Sequence, residues 1–321
     1  MRRYSYTEGL HDLGSGCFAY LQPDGGWGLS NAGLVMDGND SLLIDTLIDL
    51  PRARRMLDAM AAATPAAKQI GTVLNTHAHP DHTGGNALFA DSLIIASEAT
   101  AEEMRAIANG PMRDAIERWR EFGETGAFLH EVMGSRFEIA GLARVYPNRT
   151  FATELTLHVG VKEVRLIKVG PAHTQGDTLA YVPADRVVYT GDILFHQVHP
   201  LASSGSIQAW IDACDQILGW DVEIVVPGHG PLTDKSGVRR MKDYWEYARR
   251  EARKRFDAGM SFDEAARDIV WDAYRGWVDE ERIFSNVNAL YREFGAAAAP
   301  IEVVFRLARK YRRGEGSSIG G

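Results

Sequence analysis

Three histidines and an aspartate fall within six residues of this chain, in the segment His77-Ala78-His79-Pro80-Asp81-His82. Imidazole nitrogens and carboxylate oxygens are ligands that suit a borderline metal ion such as zinc. The segment, called the His-rich loop below, follows an apolar run over residues 70–74 that predicts a strand. The chain has ten histidines in 321 residues, so three in six positions are hard to credit to chance. Gly84 and Gly85 follow at once, as expected where the backbone turns tightly beside a bulky metal centre.

Three further segments place a histidine or an aspartate among small residues, each after a short β-branched run. They are Pro171-Ala172-His173-Thr174-Gln175-Gly176-Asp177, Tyr189-Thr190-Gly191-Asp192 and Val226-Pro227-Gly228-His229-Gly230. In open α/β sheets, ligands and chemistry gather at the carboxyl ends of strands. Four strand ends that each deliver such residues predict one convergent metal site.

On these motifs, the chain resembles the metallo-β-lactamase superfamily over roughly residues 15 to 232. The resemblance implies two metal ions per chain: a first held by His77, His79 and His173, a second held by Asp81, His82 and His229, and Asp192 as the bridge between them. Asp45, in Leu43-Ile44-Asp45-Thr46, matches the aspartate that closes an early strand in this family. We expect it to support the His-rich loop without binding metal, because a metal-bound imidazole usually donates its other N–H to such a group.

The family pattern also separates branches. True β-lactamases generally lack a bridging carboxylate and carry a serine or cysteine near the second metal. Asp192 makes this chain similar to the branch with hydroxyacylglutathione hydrolases, lactonases and tRNA-processing nucleases. Iron-binding flavodiiron relatives have a glutamate where His79 stands, so the resemblance implies zinc. We expect a hydrolase that attacks a small ester, thioester, lactone or amide with a metal-bridging hydroxide, which Asp81 orients while passing a proton to the leaving group.

Charge distribution bears on the alternatives, which are a phosphodiesterase or nuclease of the same superfamily and a β-lactamase. Residues 1–231 carry a net charge of −11, whereas residues 232–321 carry +3. Nucleic-acid enzymes generally need a basic surface to hold phosphates. A small-molecule substrate is therefore favoured, and no nucleic-acid partner is expected. A metal-dependent sensor without catalysis is disfavoured because the full ligand set is intact.

Strands and helices alternate through the first part of the chain. An opening antiparallel meander is predicted at Phe18 to Gln22, Ala32 to Met36 and Leu42 to Asp45, and a helix begins at Pro51. Such alternation would normally indicate a doubly wound fold, but the resemblance implies an α/β fold of four layers, the αβ/βα sandwich. We expect a catalytic domain at 1–231, with a largely helical insertion at about 98–150 that borders the pocket.

Beyond residue 232 the apolar residues recur at helical spacing, as in Val238, Met241 and Trp245. They predict a C-terminal helical extension over 232–313, in which Ser261 to Glu264 has the pattern of a capping box. Residues 314–321 read as a disordered tail. In this superfamily such an extension covers the active-site mouth or forms a subunit interface, so a homo-oligomer through these helices is one of two expectations.

Four residues are candidates for contact with substrate. Phe195, His196 and His199 follow Asp192 closely, although a lone histidine near a site is more often structural than functional. Trp27, between Gly26 and Gly28, matches the place where relatives have a flexible loop over the site.

Composition agrees with a soluble enzyme. No run of about 18 apolar residues is present, so no membrane span is expected. The first residues are not followed by an apolar segment, so we expect no signal peptide. The two cysteines, Cys17 and Cys214, are few enough to fit a reducing cytoplasm.

Overall fold

The structure, a computed structural model of the chain, describes residues 5–108, 111–202 and 204–315. Two β-sheets pack face to face, and helices cover the outer face of each sheet. The predicted four-layer αβ/βα sandwich with a C-terminal helical part is confirmed. Residues 316–321, most of the predicted disordered tail, lie outside the described residues.

Within the described residues, the first sheet has seven strands that pair in chain order. They are β1 (Gly9–Gly14), β2 (Cys17–Leu21), β3 (Ala32–Asp37), β4 (Asp40–Ile44), β5 (Thr72–Leu74), β6 (Leu93–Ser97) and β7 (Arg149–Phe151). The first four are antiparallel, which confirms the predicted meander and adds β1 to it, and β4 to β7 are parallel. Asp45 and the His-rich loop therefore leave the same edge of this sheet.

The second sheet, in the part of the chain that the structure describes, has five strands paired in the order β12-β11-β10-β9-β8. They are β8 (Glu154–Val159), β9 (Lys162–Lys168), β10 (Thr178–Val182), β11 (Val187–Tyr189) and β12 (Ile224–Val226). β10 is antiparallel to both neighbours, and β11 is parallel to β12. Consequently β9, β11 and β12 run in one direction, and the loops that carry His173, Asp192 and His229 leave one edge.

Alternate strand residues face different layers, as the two-residue period of a strand requires. In β4, Leu42 and Ile44 lie in the core between the sheets, whereas Leu43 packs toward the outer helix. In β10, Ala180 lies between the sheets and Leu179 packs under the helices on the other side. Because both faces are buried, these strands are continuous apolar runs.

Ten α-helices lie within the described residues. They are α1 (Leu50–Ala63), α2 (Pro80–Thr83), α3 (Glu98–Ala108), α4 (Pro111–Glu117), α5 (Gly123–Leu129), α6 (Ile207–Gly219), α7 (Lys235–Asp257), α8 (Phe262–Asp268), α9 (Ile283–Glu293) and α10 (Ile301–Arg312). The helix predicted from Pro51 is α1, which starts one residue earlier. Asp49 caps it by accepting the N–H of Arg52 at 2.9 Å. None of the described helices is long and apolar enough to span a bilayer.

The helices α3 to α5 belong to the insertion, and α7 to α10 to the C-terminal extension. The predicted capping box is present, with the side chains of Ser261 and Glu264 each bonded to the other residue's backbone. The two segments meet where α10 packs on α5: the rings of Phe305 and Phe128 lie 5.2 Å apart. Arg309 of α10 also forms an ion pair with Glu131, just beyond α5, at 2.7 Å.

Both cysteines are buried and neither forms a disulfide. Cys214 lies on the inner face of α6, packed in the core beside Trp210 and Ile217. Burial raises the pKa of its thiol to about 12, so it stays protonated and acts as a small apolar residue.

Candidate metal centre

All seven predicted ligands lie at one edge of the sandwich. Their donor atoms form two groups, and within each group the atoms lie within 4.8 Å of one another. The groups are His77, His79, His173 and Asp192, and then Asp81, His82 and His229. Both sheets contribute to each group. The sheets are joined here by a backbone hydrogen bond in which the N–H of Thr178 donates to the carbonyl of Thr76 at 2.9 Å.

The Asp192 carboxylate lies between the two groups. Its Oδ1 is 3.1 Å from Nε2 of His82, and its Oδ2 is 3.2 Å from Nε2 of His173 and 3.5 Å from Nε2 of His229. Gly228 makes room for it, because a Cβ at that position would come within 2.1 Å of Asp192 Oδ1. One carboxylate is thus placed to contact ions in both groups.

The outer nitrogens of the histidines fix which nitrogen faces the centre. Three Nδ1 atoms lie 2.8 Å from an acceptor: His82 from Asp45 Oδ2, His173 from Leu201 O and His229 from Gly25 O. Because each Nδ1 carries the proton, each Nε2 presents a lone pair inward. His79 is oriented the opposite way, with its Nδ1 facing inward at 2.9 Å from Nε2 of His173.

Asp45 holds the base of the His-rich loop. Besides His82, it accepts the N–H and the hydroxyl of Thr76, both at 2.8 Å. The Thr76 oxygen in turn lies 3.1 Å from Nδ1 of His77. Asp45 has a φ of 64°, a left-handed conformation in which aspartate and asparagine are enriched. The residue is therefore placed behind the ligands, where the sequence predicts a supporting role.

The glycines after the His-rich loop serve close approach and not a left-handed turn. Gly84 has a φ of −62°. A Cβ on it would come within 2.0 Å of the carbonyl oxygen of Ile48, and a Cβ on Gly85 within 2.3 Å of that of Thr46. The absence of side chains lets the loop after β4 lie directly against the His-rich loop.

Unpaired polar atoms test whether these residues fit a metal. Nε2 of His77, Nε2 of His82 and Oδ1 of Asp192 are buried and make no hydrogen bond within the structure. Leaving such atoms unsatisfied costs about 1–3 kcal/mol each. All three point into the centre and are metal-ligand atoms, so an ion there would satisfy them together. The donor set of five imidazoles and two carboxylates fits zinc chemistry.

The charge balance of the centre also fits cations. Burial lowers the pKa of His79 to about 3, which keeps this imidazole neutral and able to ligate. Burial lowers the pKa of His229 too, but the carboxylates of Asp192 and Asp81 outweigh burial and raise that pKa to about 9. With Asp45 close behind, three carboxylates face this small volume. Their burial requires compensating positive charge, which protons or metal ions supply.

A cavity of about 660 Å³ opens onto the centre. Five of the seven ligands form its floor: His79, Asp81, His173, Asp192 and His229. The rest of the lining is mostly apolar and comes from the insertion and from the C-terminal extension, including Ile116, Met133, Ile139, Ile301, Val304 and Phe305. The insertion therefore borders the cavity, as the sequence suggests, and so does the extension.

Two of the four predicted substrate residues line this cavity, namely Trp27 and Phe195. The Phe195 ring stacks on the imidazole of His229, with centroids 5.0 Å apart and planes 4° from parallel. Trp27 is buried, and its Nε1 donates to a carboxylate oxygen of Glu281 at 2.8 Å. A hydrogen-bonded, buried indole is a fixed wall and not an open flap.

The other two, His196 and His199, do not line the cavity. His196 lies beside Gly237, on the opposite side of the chain from Phe195, and burial lowers its pKa to about 4. His199 is buried, with Nδ1 3.3 Å from the Tyr244 hydroxyl and its ring 5.8 Å from that of Trp277. The structure therefore places both side chains outside the cavity lining.

Sequence reasoning missed Arg282, which also lines the cavity. Its guanidinium lies 4.5 Å from the Trp27 ring and 5.5 Å from the Phe195 ring, and pairs with Asp279 at 2.9 Å. Arg282 follows three acidic residues, 279–281, and this pattern does not distinguish a cavity residue, because charge clusters at helix starts are common on solvated faces. Only its burial, at 3% exposure, marks it out.

Residues 25–229 match the family model described as the metallo-beta-lactamase superfamily. The chain belongs to this superfamily. The predicted superfamily is thereby confirmed, and with it a metallo-hydrolase enzyme.

Among curated relatives of this superfamily member, the alpha subunit of 2,4-dinitroanisole O-demethylase from Nocardioides sp. (strain JS1661) is 26% identical over 250 residues. A linear primary-alkylsulfatase from Pseudomonas sp. (strain ATCC 19151) is 20% identical over 259 residues. These alignments cover 77% and 71% of this chain, but 61% and 47% of the relatives. The chain thus spans about half to three fifths of their length.

Solved structures show the same fold. A stereoselective inverting sec-alkylsulfatase from Pseudomonas sp. matches with a TM-score of 0.68 at 17% identity, covering 90% of this chain and 50% of that one. A metallo-β-lactamase from Pontibacter korlensis matches with a TM-score of 0.56 at 18% identity, covering 74% and 98%. Coverage of 90% leaves about 32 of 321 residues unmatched, fewer than the stretch from 232 to 321 contains. Part of the C-terminal extension therefore shares the sulfatase fold.

Proposed function

We propose that this member of the metallo-β-lactamase superfamily is a two-zinc hydrolase that cleaves a small ester, thioester, lactone or amide. The observation that carries the proposal is the Asp192 carboxylate between two ligand groups on the floor of a mostly apolar cavity. When bound, paired ions lower the pKa of a shared water to about 7 and polarise the group under attack.

The chain's own residues divide the remaining work. Asp192 keeps the two groups in contact through its two oxygens. Asp81 faces the cavity: its side chain is 16% exposed, compared with 3% for Asp192. Its Oδ2 lies 3.3 Å from Nε2 of His229, so it sits at the rim of the second group. From there it orients the attacking water and passes a proton toward the leaving group.

The walls support an apolar, uncharged leaving or acyl group. Trp27 and Phe195 exclude water from one side of the ligands, and the helices of the extension cover another side. Excluding water strengthens electrostatic interactions at the reacting bond. The acidic net charge of residues 1–231, −11, argues against a polyanionic substrate.

A second candidate is hydrolysis of alkyl sulfate esters. It is favoured by the relative with 20% identity that is a linear primary-alkylsulfatase, and by the sulfatase fold that includes part of the extension. Because the extension lines the cavity of this chain, a fold of the extension shared with the sec-alkylsulfatase supports a substrate of similar shape in the two proteins.

Metal content and a substrate panel test the proposal. Elemental analysis of the purified protein should give close to two ions per chain. The panel consists of an aryl ester, a thioester, a lactone, an alkyl sulfate, a phosphodiester and a β-lactam, each with native, chelator-treated and zinc-restored protein. We expect the carboxyl derivatives to be cleaved, the activity to vanish with chelator and zinc to restore it. Turnover of the alkyl sulfate alone would establish the second candidate. Turnover of only the phosphodiester or only the β-lactam would overturn both.

A further inference from the structure

A second, smaller cavity of about 110 Å³ lies beside the main one. The two share four wall residues, Pro80, Ile107, Ile116 and Ile139. Pro80 belongs to the His-rich loop itself, so the shared wall begins next to the ligands. Beyond this wall the smaller cavity is lined mainly by apolar side chains, among them Met104, Leu142 and Val145.

Three of the four shared wall residues are isoleucines, whose side chains can change rotamer. Ile116 of α4 and Ile139, after the insertion's helices, are both only partly buried. Ile116 packs on one side against the cluster of Phe128 and Leu129, and Ile139 packs against the cluster of Ile48 and Phe137. An isoleucine changes rotamer far more readily than a backbone segment moves. The division between the cavities is therefore formed by Pro80 and three isoleucine side chains, Ile116 and Ile139 among them.

Polar side chains in the main cavity wall are already engaged in the fold. Glu103 accepts the N–H of Gln175 and the hydroxyl of Ser204, at 3.0 and 2.8 Å. The Ser285 hydroxyl donates to Ala202 O at 2.7 Å. Arg282 pairs with Asp279 and donates to the carbonyl of His199, both at 2.9 Å. A charged group on the far end of a substrate would have to break such contacts, whereas a hydrocarbon chain breaks none.

We propose that the substrate carries a straight hydrocarbon chain that runs from the metal centre past Ile116 and Ile139 into the smaller cavity. These two isoleucines, with Leu142, which lines only the smaller cavity, set the chain length that the enzyme accepts. This proposal rests on the proposed ester hydrolysis, and names the part of the substrate away from the reacting bond.

The chain-length dependence of hydrolysis tests it. Straight-chain p-nitrophenyl esters from acetate to dodecanoate are assayed with the metal-loaded protein. Each methylene buried in the cavities should raise kcat/KM about fourfold until the smaller cavity is full. Leu142→Trp fills the smaller cavity without lining the main one. If it excludes two methylenes, the ratio of kcat/KM for long over short esters falls about fifteenfold.

Two further variants guard against misfolding and non-specific effects. Ile139→Ala widens the passage and should move the optimum to longer esters. Val161→Trp places the same indole at a turn residue that is 91% exposed and lines neither cavity, and should leave the ratio unchanged. Equal ratios in Leu142→Trp and Val161→Trp would overturn the proposal, and so would an optimum that Ile139→Ala leaves in place.

A binding measurement separates this inference from the proposed function. Straight-chain primary alcohols from hexanol to decanol are titrated calorimetrically into the same protein. Chain-length-dependent binding that Leu142→Trp weakens would support the hydrocarbon site even if no ester were cleaved. Ester cleavage without any dependence on chain length, in either assay, would leave the hydrolase intact and refute the hydrocarbon site.

Discussion

Replacing Asp45 with asparagine should weaken one metal site selectively. The substitution keeps the shape of the side chain, and asparagine tolerates the left-handed backbone at this position, where φ is 64°. What changes is the hydrogen bonding at the position of Oδ2, where asparagine can place an NH₂ donor instead of an acceptor oxygen. That oxygen accepts from the Thr76 hydroxyl and from Nδ1 of His82, each at 2.8 Å, while Oδ1 accepts the Thr76 N–H.

If the amide oxygen of the new asparagine keeps the hydrogen bond from the Thr76 N–H, the amide NH₂ group faces Nδ1 of His82. Two donors then oppose each other, and His82 must move its proton to Nε2. Nε2 is the atom that faces the centre, so the protonated form no longer ligates. Loss of a residue that supports a metal ligand typically weakens metal affinity by about 10–100-fold. That range corresponds to about 1.4–2.7 kcal/mol.

The assay is a zinc titration of metal-free protein against a competing chromophoric chelator, with elemental analysis of the purified variant. We expect the second ion to bind about 10–100-fold more weakly, on the order set by loss of a supporting residue. The first ion, at His77, His79 and His173, should be affected less, because Asp45 reaches His77 only through the Thr76 hydroxyl. Asp49→Asn is the matched control, because Asp49 is equally buried but caps α1 and touches no ligand. Wild-type affinity for both ions in Asp45→Asn would refute the reasoning.

Further predictions concern the bridge, the rim and the extension. Asp192→Ser should lower kcat/KM for the preferred ester by at least about 10²-fold, the loss typical of removing one preorganised electrostatic group, and should not create a β-lactamase; a kinetic comparison on both substrates checks this. Asp81→Asn should cut kcat comparably while zinc titration shows the first ion retained, since its histidines are untouched. Glu281→Ala should raise KM more than it lowers kcat, because it removes the acceptor that anchors the indole N–H of Trp27 in the cavity wall at 2.8 Å; steady-state kinetics separate the two. A fragment that ends after Leu232 should be insoluble, because it exposes the fully buried α6 face that α7 covers; sedimentation of the expressed fragment tests it.

The ligands were open to prediction because local sequence carries their signal. Each lies directly after a β-branched run, and parallel strands deliver their carboxyl ends to one edge. The structure brings all seven together without any rearrangement of the expected strands. The meander, α1 and the capping box at Ser261 were predictable for the same reason, since each rests on residues next to one another in the chain.

His196 and His199 show that a residue close to a ligand in the sequence need not face the cavity that the ligand faces. The segment from Phe195 to His199 forms two isolated bridges, Phe195 with His229 and Val198 with Val278, and bends between them at Gln197, where φ is 60°. Phe195 lines the cavity, whereas His196 lies beside Gly237. Sequence distance from a ligand does not fix side-chain direction unless the local backbone conformation is known.

The cavity wall could not be predicted, because an apolar stripe looks the same whether it packs a core or lines a pocket. Ile116 and Phe305 come from helices nearly two hundred residues apart in the chain, yet both line the cavity. Ile116 packs against the cluster that contains Phe128 and Phe305, whose rings lie 5.2 Å apart. Ion pairs between α10 and the segment after α5, such as Arg309 with Glu131 at 2.7 Å, join the same two parts of the chain. Partly exposed pairs of this kind contribute little individually.

The extension is also connected to the metal centre through one loop. Glu281 accepts the indole N–H of Trp27 at 2.8 Å and pairs with Arg312 of α10 at 2.7 Å. Two residues before Trp27, the carbonyl of Gly25 lies 2.8 Å from Nδ1 of His229 and so fixes the nitrogen that this ligand presents. A shift of α10 would therefore move Glu281 and the Trp27 indole, and through the same loop the Gly25 carbonyl that contacts His229. The residues after 232 thus supply none of the ligands, but they hold the loop that orients one of them.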